Sequence, residues 1–159
     1  MKNRIYIDNH QNKVEVSKEI KQLVKKSCNV VLKLEGFSSF AEISVVFIDN
    51  KGIRSLNELY RSINKETDVL SFPLAEEEQY DKNKENSEIV LGDIVISIEK
   101  AIEQAELYGH TLQREIAYLT VHSMYHLLGY DHEISTEQAT QMRLKEEEAL
   151  NKLGISRVV

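Results

Sequence analysis

The chain has 159 residues, 42% of them hydrophobic, and a formal net charge of −6, a length that suits one compact domain with a core of its own, expected here to span 1–159. No apolar run approaches the roughly 20 residues of a membrane span; the first residues (MKNRIYIDNHQNK) lack the apolar stretch of a secretion signal, and the single cysteine, Cys28, excludes an internal disulfide framework. These features predict a cytoplasmic protein with no membrane association, and the acidic balance leans slightly against nucleic acid as a partner. Residues 1–75 nevertheless carry 12 Lys+Arg against 9 Asp+Glu, a net of +3, while 76–159 carry 8 against 17, a net of −9, so any basic patch belongs to the first half.

Residues 3–8 (NRIYID) alternate loosely and are rich in β-branched and aromatic types, which predicts a short strand. Ser17 caps a helix running to about Lys33, with Ile20, Leu23, Val24, Val31 and Leu34 near helical spacing and Gly36 as its stop. On that helix Lys18, Lys21 and Lys25 share one face, a spacing that more often marks a solvated face than a track for a polyanion backbone, and Cys28 reads as a small core residue. A buried strand follows at 42–48 (EISVVFI). Asp49 or Asn50 caps a helix carrying Ile53, Leu56, Leu59 and Tyr60, and a second strand at 68–72 is expected to stop at Pro73, the only proline.

Residues 76–88 (EEEQYDKNKENSE) are polar and aperiodic, which predicts a mobile surface loop. A strand at 89–96 (IVLGDIVI) comes next. Ser97 caps a helix ending at Gly109, Thr111 caps another running to about Leu128, and Ser135 with Gln138 forms a capping box for a last helix that closes near Gly154. No internal repeat or linker is visible. The order of elements predicts an α+β fold: one mixed sheet of four strands packed with about five helices, and a metal site at the end of a helix.

That site rests on spacing. His122 and His126 lie four apart on a predicted helix, so both face one side about 5–6 Å apart at Cβ, close enough to bind one ion. Gly129 then supplies a left-handed residue that ends the helix, and the turn returns His132 toward the pair after six residues. Three imidazoles leave a fourth position open, the arrangement of a catalytic rather than a closed structural zinc site. They suit Zn2+, one ion per chain, although Ni2+ or another divalent ion is compatible with the same ligands. The zinc proteases with H-E-x-x-H place a Glu general base after the first histidine; Ser123 stands there instead. His10 and His110 fall in predicted loops with no assigned role. Asp131 can orient a ligating imidazole or cap the turn, and Thr67, Asp68 and Ser71, flanking the second strand, can line a cleft or serve as turn residues.

The stretch VHSMYHLLGYDHE resembles the signature of the YbeY family of bacterial endoribonucleases, roughly H-G-x-L-H-L-x-G-Y-D-H. LNELYRSINKETDVLSFP and LGDIVIS resemble two further segments of the same family, in the expected order, and the resemblance as a whole covers residues 42–152. Ser123 replaces the usual Gly, Tyr125 the usual Leu, and Asn64 a common Asp; each change bears on local packing. The resemblance implies a single-strand-specific, metal-dependent endoribonuclease acting in 16S rRNA 3′-end maturation and ribosome quality control, with ribosomal RNA and the small ribosomal subunit as partners. It implies His122, His126 and His132 as metal ligands and Arg61 as a catalytic arginine. Two other readings of the same residues are a metal-dependent hydrolase of a non-RNA substrate such as a peptide, and a non-catalytic ribosome-associated factor with a structural metal.

Overall fold

The computed structural model describes residues 2–76 and 88–155. In chain order the elements are β1 (Arg4–Asn9), α1 (Lys18–Leu34), β2 (Phe40–Ile48), α2 (Asn50–Arg61), β3 (Val69–Pro73), β4 (Glu88–Ser97), α3 (Ile98–Tyr108), α4 (Leu112–Leu127) and α5 (Thr136–Lys152). The strands form one sheet in the order β1-β2-β4-β3, with β1, β2 and β4 parallel and β3 antiparallel to β4. This is the expected α+β architecture of one mixed four-stranded sheet and five helices. The loop expected over 76–88 lies almost wholly outside the described residues.

Local signals explain the helix starts. Ser17, Asp49, Ser97, Thr111 and Ser135 each accept, through a side-chain oxygen, from a backbone N–H in the first turn of α1 to α5. Between the two candidates for the α2 cap, Asp49 takes the role, bonding Gly52 N–H at 2.8 Å. Asn50 is turned inward, where Ser97 Oγ donates to its Oδ1 at 2.7 Å. Pro73 does not stop β3 but is its last residue, paired with Gly92. An edge strand has only one neighbour, so the missing N–H costs the ladder nothing.

The main core joins one sheet face (Ile43, Val45, Phe47, Leu91, Ile94 and Ile96) to α1, α3, α4 and α5, and Cys28 is buried within it as expected. A smaller cluster of Ile48, Ile53, Leu70 and Val95 seats α2 on the opposite face. Ten of the 16 residues of α4 are buried, as expected for a helix that is apolar around most of its circumference. That enclosure makes α4 a rigid platform.

Continuity of the core along β4 depends on a bulge. The register with β2 slips between Glu42, paired with Val90, and Ile43, paired with Gly92, so Leu91 is the extra residue. The slip shifts the alternation by one, so that Ile89, Leu91, Ile94 and Ile96 all reach the main core. Gly92 sits at φ +150°, and a Cβ there would lie 2.3 Å from the Phe72 carbonyl oxygen and 2.9 Å from Leu127 Cδ2. Strand β3 and helix α4, which form two walls of the cleft below, both meet at this glycine. Gly92→Ala is therefore expected to cost about 3 kcal/mol or more through strain and overpacking, read as a lowered urea midpoint at unchanged m-value.

Candidate metal centre

His122 and His126 leave α4 on the side that faces β3, and His132 returns from the turn beyond it. One ligand atom from each of the three lies within 4.8 Å of the others, and their ring centroids are 4.6 to 5.2 Å apart. The turn is stitched to the helix end as the glycine predicted. Gly129 adopts φ +97°, its N–H donates to the His126 carbonyl, and Tyr130 N–H donates to the Tyr125 carbonyl at 2.9 Å.

The far side of each helical imidazole is engaged. His126 Nδ1 lies 2.9 Å from the Tyr130 carbonyl oxygen; a carbonyl only accepts, so Nδ1 carries the proton. His122 Nδ1 donates to Glu146 Oε2 on α5 at 2.6 Å. In the neutral form of each ring that leaves Nε2 as the unprotonated nitrogen, and the two Nε2 atoms face each other at 3.1 Å. Two nitrogens bound to one ion at 2.0–2.1 Å with tetrahedral angles stand about 3.3 Å apart. The donor set thus fits a divalent ion in spacing, tautomer and outer support. Burial, and next the neighbouring His122, hold His126 below the ordinary histidine value of 6.5, favouring the neutral ring that a metal requires.

The histidines open into a cleft of about 570 Å³ that is also lined by Arg61, Thr67, Asp68, Ser71, Tyr118 and Asp131. Arg61, the last residue of α2, is exposed and makes no ion pair with any described residue. Thr67, Asp68 and Ser71 line the cleft, and Asp68 also serves its turn, accepting from Val69 N–H at 2.7 Å. Its other oxygen is approached from behind: with its amide nitrogen facing the two carboxylates, Gln104 spans Asp68 Oδ2 at 3.2 Å and buried Glu115 Oε1 at 2.8 Å. His110 contacts the same Glu115 and stays out of the cleft. Asp131 caps the turn by accepting from Glu133 N–H.

Sequence reasoning missed Glu146. It stands in the run Glu146-Glu147-Glu148, yet only Glu146 occupies the apolar phase Met142, Glu146, Ala149, Leu150 that α5 buries. A carboxylate in a core-facing phase was the available signal. Of the departures from the family pattern, Tyr125 is buried and donates its hydroxyl to the Lys145 carbonyl at 3.2 Å, tying α4 to α5. Asn64 accepts from Arg54 Nε at 2.7 Å. Ser123 is fully buried and its Oγ has no hydrogen-bond partner among the described residues, which at this position costs stability relative to a residue without a hydroxyl.

A family model described as "Endoribonuclease YbeY" matches residues 6–154. Curated relatives of that name include proteins of Thermoanaerobacter sp. (strain X514), 52% identical over 96% of this chain and 99% of theirs, Clostridium tetani, 46% identical with the same coverage, and Clostridioides difficile, 45% identical over 96% and 98%. Among solved structures, the solution structure of TM1509 from Thermotoga maritima superposes with a TM-score of 0.57 at 27% identity, covering 94% of this chain and 91% of that one.

Two outcomes follow from this geometry. Glu146→Gln should retain the helical circular dichroism spectrum while lowering Zn2+ affinity roughly 10-fold or more, as measured by chelator competition. Because the folded chain holds His126 below 6.5, the unfolded chain takes up that proton more readily. His126 therefore leaves fold stability intact above pH 6.5 and lowers it as pH falls through the depressed value. Urea midpoints of the metal-free protein at pH 7.5 and 5.5 measure the difference.

Proposed function

Since the chain belongs to the YbeY family of endoribonucleases, we infer that it is a metal-dependent endoribonuclease of ribosomal RNA maturation, cutting single-stranded RNA in the cleft where His122, His126 and His132 converge. The facing pair of bare Nε2 atoms is the observation that carries this reading, because only a cation or a proton between them satisfies both lone pairs. We assign one Zn2+ to the three histidines, with Ni2+ or another divalent ion able to replace it. The substrate we assign is the 3′ end of 16S rRNA in the small ribosomal subunit, and the setting is the cytoplasm. The catalytic unit we assign is one domain spanning 1–159. Among the described residues no helix is long and apolar enough to cross a membrane.

A divalent ion, when bound, supplies Lewis-acid chemistry: ionisation of water near neutral pH and charge stabilisation at a phosphoryl oxygen. The chain's own residues do the rest. Glu146 and the Tyr130 carbonyl hold the two helical imidazoles in orientation and tautomer. Arg61, uncommitted to any described carboxylate, presents guanidinium donors to the non-bridging oxygens as negative charge grows on them. Tyr118, stacked on His122 at 5.8 Å between centroids, walls the ligand from one side and offers a ring face to a nucleobase.

The peptide-hydrolase reading finds no support. The residue after the first histidine is buried Ser123 rather than an acid, and Glu146 lies behind the His122 ring, committed to Nδ1. The structural-metal reading expects a closed site, whereas the described His, Cys, Asp and Glu residues supply a group of three with His132 exposed.

Arg61→Ala should lower kcat on a fluorescent single-stranded RNA by about 10²–10³ while metal stoichiometry stays unchanged. His126→Ala should lose bound metal and cleavage together. Cleavage at the wild-type rate by the metal-free His126→Ala protein would overturn the assignment.

A further inference from the structure

The cleft is weakly charged for a polyanionic substrate. Arg61 is the only Lys or Arg among its described lining residues, set against Asp68, Asp131 and Glu133. Even with a divalent ion in place, those charges cancel. RNA binding draws its affinity largely from cations along the phosphate backbone, so most of that affinity has to come from outside the cleft.

Helix α1 offers such cations. Lys18, Lys21, Lys25, Lys26 and Lys33 are all exposed, and none is ion-paired with a described carboxylate, whereas Lys13, Lys100 and Lys145 each are. Glu19 is the one acid in the helix. The row from Lys18 to Lys33 extends about 22 Å at 1.5 Å per residue. It ends beside the metal turn, where the α1 cap residue Glu35 pairs with Lys145 at 3.1 Å and the Lys145 ammonium stands 5.4 Å from the Tyr130 ring centroid. A depression of about 710 Å³ adjoins the row. Lys2 and Lys25 line it, together with the amides of Asn3 and Asn29, joined at 2.9 Å, and the rings of Phe37 and Phe40. Cations that track a backbone beside aromatic faces that accept bases are the combination used by single-strand binding surfaces.

We propose that the outer face of α1, with the adjoining Lys2–Phe40 depression, is a second RNA-binding surface that captures the backbone of single-stranded RNA and leads the strand toward the metal turn. The proposal rests on the ribonuclease reading of the cleft. It is tested on the full chain loaded with Zn2+, comparing wild type, the triple variant Lys18→Gln, Lys21→Gln, Lys25→Gln, and a control variant Lys51→Gln, Lys152→Gln. Binding of a labelled, uncleavable 2′-O-methyl RNA of about 20 nucleotides is followed over a KCl series.

At about 0.7 counterions per phosphate contact, the triple variant should lose about 2 from the log–log salt slope and roughly tenfold or more in affinity at 0.1 M salt. The control should match wild type, and kcat on an RNA of about four nucleotides should be unchanged in all three. A triple variant with wild-type slope and affinity overturns the proposal. So does one whose only loss is binding to phosphatidylglycerol vesicles, since the face then serves an anionic membrane. If the triple variant loses the slope but no form of the protein cleaves RNA, the ribonuclease reading fails and the surface stands. If cleavage persists with an unaltered slope, the surface alone fails.

Discussion

Two imidazole nitrogens held 3.1 Å apart on the open side of their rings are the constraint around which this structure is organised. Bare imidazole nitrogens repel at that distance, so something must hold the rings there before a cation arrives. Two hydrogen bonds on the far side of the rings do so, one from a backbone carbonyl and one from a buried carboxylate. Each of those acceptors needs its own support. The carbonyl belongs to Tyr130, fixed by its N–H bond to Tyr125, and the carboxylate belongs to α5, which packs against α4 and α1 through Met142, Ala149 and Leu150. The site is therefore preorganised by packing well beyond the three histidines, and the desolvation that lowers the His126 pKa is a by-product of that enclosure.

The sheet contributes the opposite wall. Its core face stays continuous only because β4 carries one extra residue, and that bulge brings the backbone of β3 and the side chain of Leu127 against Gly92. Leu127 is the neighbour of His126 in the chain, so sheet register and histidine placement meet at one glycine. The antiparallel strand added beyond the bulge carries Ser71 and follows directly from Asp68, so the same edge supplies polar residues to the cleft.

Much of this was legible in residue types and spacing. All five helix starts were announced by capping residues, and the strands by runs of β-branched residues, with ends shifted by one or two positions. The three histidines could be placed because their grouping is local: four residues along a helix, then a glycine-turned return. What stayed hidden was long-range or carried by the main chain. Glu146 is 24 residues from His122, and its burial is set by the way α5 docks, which charge alone obscures among three consecutive glutamates. The Tyr130 carbonyl has no side-chain signature at all. Asp131, the acid next to the third histidine, looked equally suited to orienting an imidazole, yet its hydrogen bond is spent on the turn. The β4 bulge left only a trace, a glycine where strict alternation breaks.

Neighbouring positions on α5 act on different parts of the site: Glu146 on the His122 ring, Lys145 on the Tyr130 ring and, through its carbonyl, on Tyr125. Each residue added to a helix turns everything after it by about 100°. An insertion between Thr136 and Met142 would swing both contacts away from their partners at once, whereas an insertion at 133–135, where the chain is exposed and irregular, would leave the docked phase of α5 alone. Across descendants of this chain, length variation should therefore collect just before α5 and be absent from its first turns, even though those turns mostly face solvent.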